Sequence, residues 1–189
     1  MKKVYIIHGW GGRPDTNWLP WLKKELEKYD EVEVSTLDMP DTDNPVIERW
    51  VRYLKKEVPN PDENTYFVGH SIGCQAIMRY IESFDDIKIG GALFVAGWFY
   101  LDNLDEEEVK IREPWLKVMD LEKIKKQIGH LTVLLSTNDD YGCLKENSRE
   151  FKKLDANIII EENAGHFTDE KHDRILEETL ALTGLTKIT

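Results

Sequence analysis

The 189 residues fit a single domain, 1–189, long enough to bury a sizeable core. With 36 acidic against 25 basic side chains, a formal net charge of −11, the chain lacks the basic face that nucleic acid or an anionic membrane surface demands. No run approaches the ~20 apolar residues of a membrane span, and the one after Lys2-Lys3 breaks at His8-Gly9, short of the ~7–15 of an export signal. Cys74 and Cys143 have neither metal spacing nor the number for a disulfide framework, so free thiols in the cytoplasm are expected.

Short apolar runs alternate with helical patterns along the chain, as in a parallel sheet covered by helices. The first run, Val4–Ile7, leads into His8-Gly9-Trp10-Gly11-Gly12, a loop of the kind that lends backbone N–H groups to an oxyanion. A phosphate loop does not fit, because neither G-x-x-x-x-G-K-S/T nor a well-formed G-x-G-x-x-G is present. Trp18, Leu22 and Leu26 then recur at helical spacing, and a second strand is expected over Glu31–Leu37. The next helix is expected to start with Asn44 as N-cap and Pro45 at its first position, placing Val46, Trp50 and Leu54 on one face.

Tyr66–Gly69 reads as the third strand and runs into Gly69-His70-Ser71-Ile72-Gly73, followed by a helical pattern to about Phe84. Strand, G-x-S-x-G, helix is the context of a nucleophile elbow. The flanking glycines let the chain double back in a turn where side chains would clash, presenting the Ser71 hydroxyl above the sheet. After a fourth strand, Ala92–Ala96, the stretch 97–130 departs from the rhythm. It is expected to pack a short extra element, a minimal lid, over the sheet's C-terminal edge. Asp105-Glu106-Glu107-Glu108 reads as a solvated helix start, with Glu106–Lys110 and Glu108–Arg112 at ion-pair spacing. Trp98 and Phe99 suit either the core or a pocket wall.

Strands over Thr132–Ser136 and Asn157–Glu161 are followed by Thr137-Asn138-Asp139-Asp140 and by Glu162-Asn163-Ala164-Gly165-His166-Phe167, and a last helix is expected over 169–182. A serine hydroxyl needs a base, itself oriented by a carboxylate, and these loops supply both in the order Ser, acid, His. Among five histidines, His166 is the expected base. His8 lies in the first loop, His70 sits inside the elbow pointing away from Ser71, His130 precedes a strand, and His172 is expected on a helix surface. Asp139 is favoured as the acid over Asp140 because it follows the strand end sooner. Backbone N–H groups of Trp10 and Ile72 are the expected oxyanion hole, each donor worth roughly 3–4 kcal/mol in the transition state.

With Val4-Tyr5-Ile6-Ile7-His8-Gly9, Gly69-His70-Ser71-Ile72-Gly73, Pro114-Trp115, Ser136-Thr137-Asn138-Asp139 and Gly165-His166-Phe167, the chain resembles the small α/β-hydrolases related to retinoblastoma-binding protein nine and bacterial YdeN-like proteins over nearly its whole length. The resemblance implies a compact serine hydrolase with a very small lid, and the family's S-x-x-D pattern places the acid on Asp139. The family's usual D-P-x-x-P continuation is replaced by Asp139-Asp140-Tyr141-Gly142-Cys143, and the L-x-C-x-E retinoblastoma-binding motif is absent around both cysteines.

The expectation is thus an α/β-hydrolase fold: about six parallel strands in the order 2-1-3-4-5-6, with helices on both faces. Its activity would be hydrolysis of small carboxylic esters or amides through an acyl-enzyme on Ser71, by a monomer or weak homodimer without metal or cofactor. A thioesterase or peptidase-like hydrolase, or a binding protein on a hydrolase scaffold, are the alternatives. Trp10, Trp98, Phe99, Tyr141 and Phe167, beside the predicted catalytic loops, are the expected pocket walls for a compact apolar acyl group.

Overall fold

A computed structural model describes residues 1–186. Its six parallel strands, β1 (Lys2–Ile7), β2 (Val32–Leu37), β3 (Thr65–His70), β4 (Ile89–Val95), β5 (Ile128–Ser136) and β6 (Asn157–Glu161), pair in the order β2-β1-β3-β4-β5-β6. The central strands are apolar on both faces, because their residues alternate between two buried layers. Phe67, Ala92, Phe94, Val133 and Leu135 face one core; Val4, Ile6, Val68, Leu93, Val95 and Leu134 face the other.

On the first face lie α2 (Ile47–Glu57) with Trp50 and Leu54, α3 (Ile72–Glu82), α5 (Leu121–Gln127) with Ile124, and α6 (Leu144–Lys152) with Phe151. On the second lie α1 (Leu19–Leu26), buried through Leu19, Leu22 and Leu26, and α7 (Asp173–Thr183), buried through Ile175. α3 is buried along nearly its whole length and sets the depth at which the residue before it sits.

Several boundaries differ from the sequence expectation. Asn44 and Pro45 do not begin α2: residue 46 is extended, α2 starts at Ile47, and the Pro45 carbonyl accepts instead from Trp115 Nε1 at 3.0 Å. Ala96 leaves β4 with a left-handed φ of 49°. α7 starts at Asp173 because His172 is still extended, so His172 is the residue before the helix rather than on its surface. β5 begins at Ile128, which puts His130 inside the strand.

Between β4 and β5, residues 97–104 cross the C-terminal edge, where Leu101 forms a bridge to Gly142. The chain then forms α4 (Glu106–Arg112) and a 3-10 turn over Glu113–Leu116 that buries Trp115. The expected Glu106–Lys110 and Glu108–Arg112 pairs are not formed. Glu108 Oε2 instead accepts the Asp105 N–H at 2.9 Å, closing a capping box with the Asp105 carboxylate, and Arg112 reaches the Leu101 carbonyl.

A close backbone approach lies beside the elbow. A Cβ at Gly73 would sit 2.7 Å from the carbonyl oxygens of both Ile7 and His8. These are backbone atoms at the end of β1 that cannot rotate away. Gly73→Ala is therefore expected to destabilise the fold by about 1–3 kcal/mol, as overpacking does in a rigid site. Chemical denaturation of the two proteins checks it, and an unchanged midpoint would contradict the tight approach.

Candidate active site

Ser71 lies between β3 and α3 with φ 51° and ψ −119°, a strained conformation for a residue with a side chain. Its N–H donates to the Val95 carbonyl at 2.9 Å, continuing the sheet's ladder one residue past the strand. The Gly69 and Gly73 positions leave no room for a Cβ, so both glycines of the motif are required sterically. Gly9 packs against the turn from the β1 side: a Cβ there would lie 3.4 Å from Ser71 Cβ.

His166 reaches the same place from the loop after β6. Asp139, from the loop after β5, holds its ring: Nδ1 lies 2.9 and 2.8 Å from the two carboxylate oxygens. A carboxylate only accepts, so Nδ1 carries a proton, and in the neutral ring Nε2 then holds the lone pair. The pair is well shielded, with side-chain exposures of 18% for His166 and 8% for Asp139. Ser71 and His166 line one cavity of about 270 Å³. Among the described residues no hydrogen bond joins Ser71 Oγ to His166 Nε2, a contact that often forms only around bound substrate.

The acid loop, without a proline over 137–143, is held by hydrogen bonds. The Tyr141 N–H donates to Asp139 Oδ1, the Gly142 N–H to the Asp139 carbonyl, and Asn103 Nδ2 to the Asp140 carbonyl. The same loop carries the His166 loop. Ser136 Oγ accepts from the Ala164 N–H, Asn138 Oδ1 from the Gly165 N–H and Thr137 Oγ1 from the Asn163 N–H. Asp140 is exposed, and the carboxylate that pairs with the His166 ring is that of Asp139.

The candidate oxyanion donors flank Ser71. Among the described residues, the N–H groups of Trp10 and Ile72 are taken by no internal acceptor. The Trp10 loop is pinned by Trp10 Nε1 to the Asp43 carbonyl at 2.9 Å and by the Gly11 N–H to the Thr42 carbonyl.

Of the expected pocket walls, Trp10 and Tyr141 line the cavity, and the Tyr141 ring stands edge-on to His166. Trp98, Phe99 and Phe167 do not. Trp98 is buried with its carbonyl on Gln75 Nε2, Phe99 packs against Phe151 and Phe167 lies fully buried beside α1 and α7. Phe167 has a left-handed φ of 54°, and its side chain belongs to the core under α1 and α7. Leu19, Leu101, Leu104, Glu108 and Thr168 take those places.

Two supports went unread in the sequence. His70, which lines the same cavity as Ser71, lies 2.8 Å through Nε2 from the His166 carbonyl, and Trp18 Nε1 donates to the Phe167 carbonyl at 3.0 Å. A carbonyl only accepts, so His70 Nε2 is protonated and the elbow itself seats the His166 loop. Burial, and then the proximity of His166, holds the His70 imidazole neutral, down to about 3. His8 is likewise held low by burial; its Nε2 accepts the Met39 N–H, so Nδ1 donates to the Gly9 carbonyl.

Because His70 is neutral when folded and takes a proton more readily when unfolded, its contribution is present above about pH 6.5 and is lost toward pH 3. The melting temperature should therefore fall through that window. His70→Gln keeps an N–H donor without a titrating group, so its fall should be shallower, which melting curves across pH would show. An identical pH slope in both proteins would contradict the buried neutral imidazole.

The chain matches the serine hydrolase family over residues 4–182. It is 32% identical over 171 residues to YdeN of Bacillus subtilis (strain 168), covering 90% of this chain and 88% of that protein. It is 27% identical over 179 residues to the serine hydrolase RBBP9 of Rattus norvegicus, covering 93% and 91%. The crystal structure of the B. subtilis ydeN gene product superposes with a TM-score of 0.88, covering 98% of this chain and all of that one, at 27% identity. Est1E from Butyrivibrio proteoclasticus, at 14% identity and a TM-score of 0.72, shares the fold over 97% of this chain and 89% of its own. The match of the family model over residues 4–182, the 32% identity to YdeN over 90% of this chain and the six-stranded parallel sheet place the chain in the serine hydrolase family, as a hydrolase of α/β-hydrolase fold.

Proposed function

We propose that the protein hydrolyses small carboxylic esters or amides through an acyl-enzyme on Ser71. The observation that carries this reading is the Asp139–His166 pair, whose free Nε2 lone pair belongs to the cavity lined by Ser71. Ser71 Oγ attacks the substrate carbonyl carbon while His166 Nε2 takes the hydroxyl proton; Asp139 stabilises the imidazolium so formed. The oxyanion meets the Trp10 and Ile72 N–H groups, which among the described residues no internal acceptor occupies. Collapse breaks the bond to the alcohol or amine, which leaves with the proton from His166. Water, deprotonated by the same nitrogen, then attacks the acyl carbon; the acid departs and Ser71 regains its proton.

A fluorophosphonate probe tests the nucleophile directly. Labelling should map to Ser71 and compete with a turned-over ester; labelling elsewhere, or none on folded protein, would overturn the assignment. The cavity, at about 270 Å³, lies just below the ~300–1,000 Å³ usual for ligand sites. Each added methylene contributes about 0.8 kcal/mol only while it can still be buried. In a series of acyl chains on one leaving group, kcat/KM is therefore expected to peak at about two to six carbons and then fall. A preference for chains of about twelve carbons or more would contradict the compact pocket.

A further inference from the structure

The cavity beside Ser71 carries a charge that the acyl-transfer chemistry above does not use. Of the described side chains lining it, Glu108 alone is an Asp, Glu, Lys or Arg. Its neighbours Glu106 and Glu107 on the same helical turn are exposed, whereas Glu108 is half-buried against the cavity. Among the described residues it forms no ion pair. Arg112, one helical turn on, donates to the Leu101 carbonyl instead. The nearby imidazoles do not compensate: His8 and His70 are neutral through burial, and His166 already faces the Asp139 carboxylate.

The Glu108 carboxylate is also fixed in place. One oxygen accepts the Asp105 N–H in the capping box, which holds the side chain back over the first turn of α4. The cavity's two aromatic walls, Trp10 and Tyr141, are themselves tethered, Trp10 through Nε1 to Asp43 and Tyr141 through its N–H to Asp139. A positioned, unpaired carboxylate with aromatic rings in a partly shielded cavity has the chemistry that receives an organic cation. An anionic substrate group there would meet the same carboxylate at close range.

We propose that Glu108 determines specificity by holding an ammonium or quaternary ammonium group of the substrate while the scissile carbonyl lies at Ser71. The substrate class is then a small ester or amide with a cationic group on its acid or its alcohol or amine part. This rests on the hydrolytic reading of Ser71 for turnover, but not for binding.

Matched pairs of compounds separate charge from shape. Butyrylcholine is compared with its carbon isostere, in which the quaternary nitrogen is replaced by carbon; so is the ethyl ester of γ-trimethylammoniobutyric acid. Binding to the Ser71→Ala protein is measured by calorimetry, and kcat/KM on the wild type, both at low salt. The cationic member of at least one pair should bind about tenfold more tightly, with the ratio appearing mainly in KM. Glu108→Gln retains a capping side chain but loses the charge, and should bring that ratio to within about twofold of parity. Glu107→Gln makes the same change in net charge at an exposed site and should leave the ratio in place.

Parity for both pairs in the binding measurement would overturn the proposal. So would a preference that survives Glu108→Gln, or one lost equally in Glu107→Gln, which would trace it to the overall charge of −11. A cation preference in binding without turnover of any ester would instead sink the hydrolytic reading and leave the Glu108 site standing.

Discussion

Ser71→Ala is expected to lower kcat for a short p-nitrophenyl ester by about 10⁴–10⁶-fold while leaving the protein folded. The size of the loss follows from the way the parts depend on one another. Without Oγ there is no atom to receive the acyl group, and the lone pair that Asp139 keeps free on His166 has no hydroxyl proton to take. The N–H donors remain, so some activity over water should persist through polarisation of the bound carbonyl. Stability should change little or improve, because among the described residues the Ser71 hydroxyl makes no hydrogen bond, and the strained φ of 51° is imposed by the backbone around it. Steady-state kinetics with a melting curve on the same preparation decides the matter. Retention of more than about a tenth of wild-type activity would place the nucleophile elsewhere.

The strands were legible because each central one is covered on both faces, so its residues are apolar without interruption: Phe67-Val68 and Leu93-Phe94-Val95 divide between two cores and leave no polar position to blur the run. The missed strand ends are where that condition fails. Gly90-Gly91 lies early in β4 and Gly129-His130 early in β5, and glycines in close contact with neighbouring backbone carry no strand signal. α6 was not read either. Leu144–Lys152 is rich in charge and buries only Asn147 and Phe151 fully, so its apolar periodicity is nearly absent. Asn147 holds the turn after β4 by accepting the N–H groups of Phe99 and Tyr100, a tertiary task invisible to spacing.

The site divides in the same way. Ser71, Asp139 and His166 could be ranked because each follows a strand and because strands in a parallel sheet end on one edge, so chain order predicts convergence. The walls could not, since closeness in sequence says nothing about direction: Phe167 adjoins His166 but turns into the opposite core, whereas Leu19 and Glu108, far from any motif, line the cavity. The contacts that seat the His166 loop, from His70 and Trp18, span 96 and 149 residues and leave no local trace.

Asp139→Asn should lower kcat by roughly 10³–10⁴-fold, a change in tautomer more than in shape. The wild-type carboxylate accepts from Nδ1 on both oxygens, at 2.9 and 2.8 Å, which obliges the neutral imidazole to carry its proton there. An asparagine of the same size can turn its NH₂ toward the ring. Nδ1 then becomes the acceptor, Nε2 carries the proton, and the nitrogen facing Ser71 can no longer take one. The loop itself should hold, since the Gly142 N–H still meets the residue 139 carbonyl and Asn103 still meets that of Asp140. Asp140→Asn removes an exposed carboxylate outside the cavity lining, and should change kcat by no more than about twofold. Measured side by side under the same conditions, the two variants separate field effects from orientation, because each removes one negative charge from adjacent positions. A larger loss at Asp140 than at Asp139 would move the acid one residue along and break the carboxylate–imidazole pairing on which the hydrolytic reading stands.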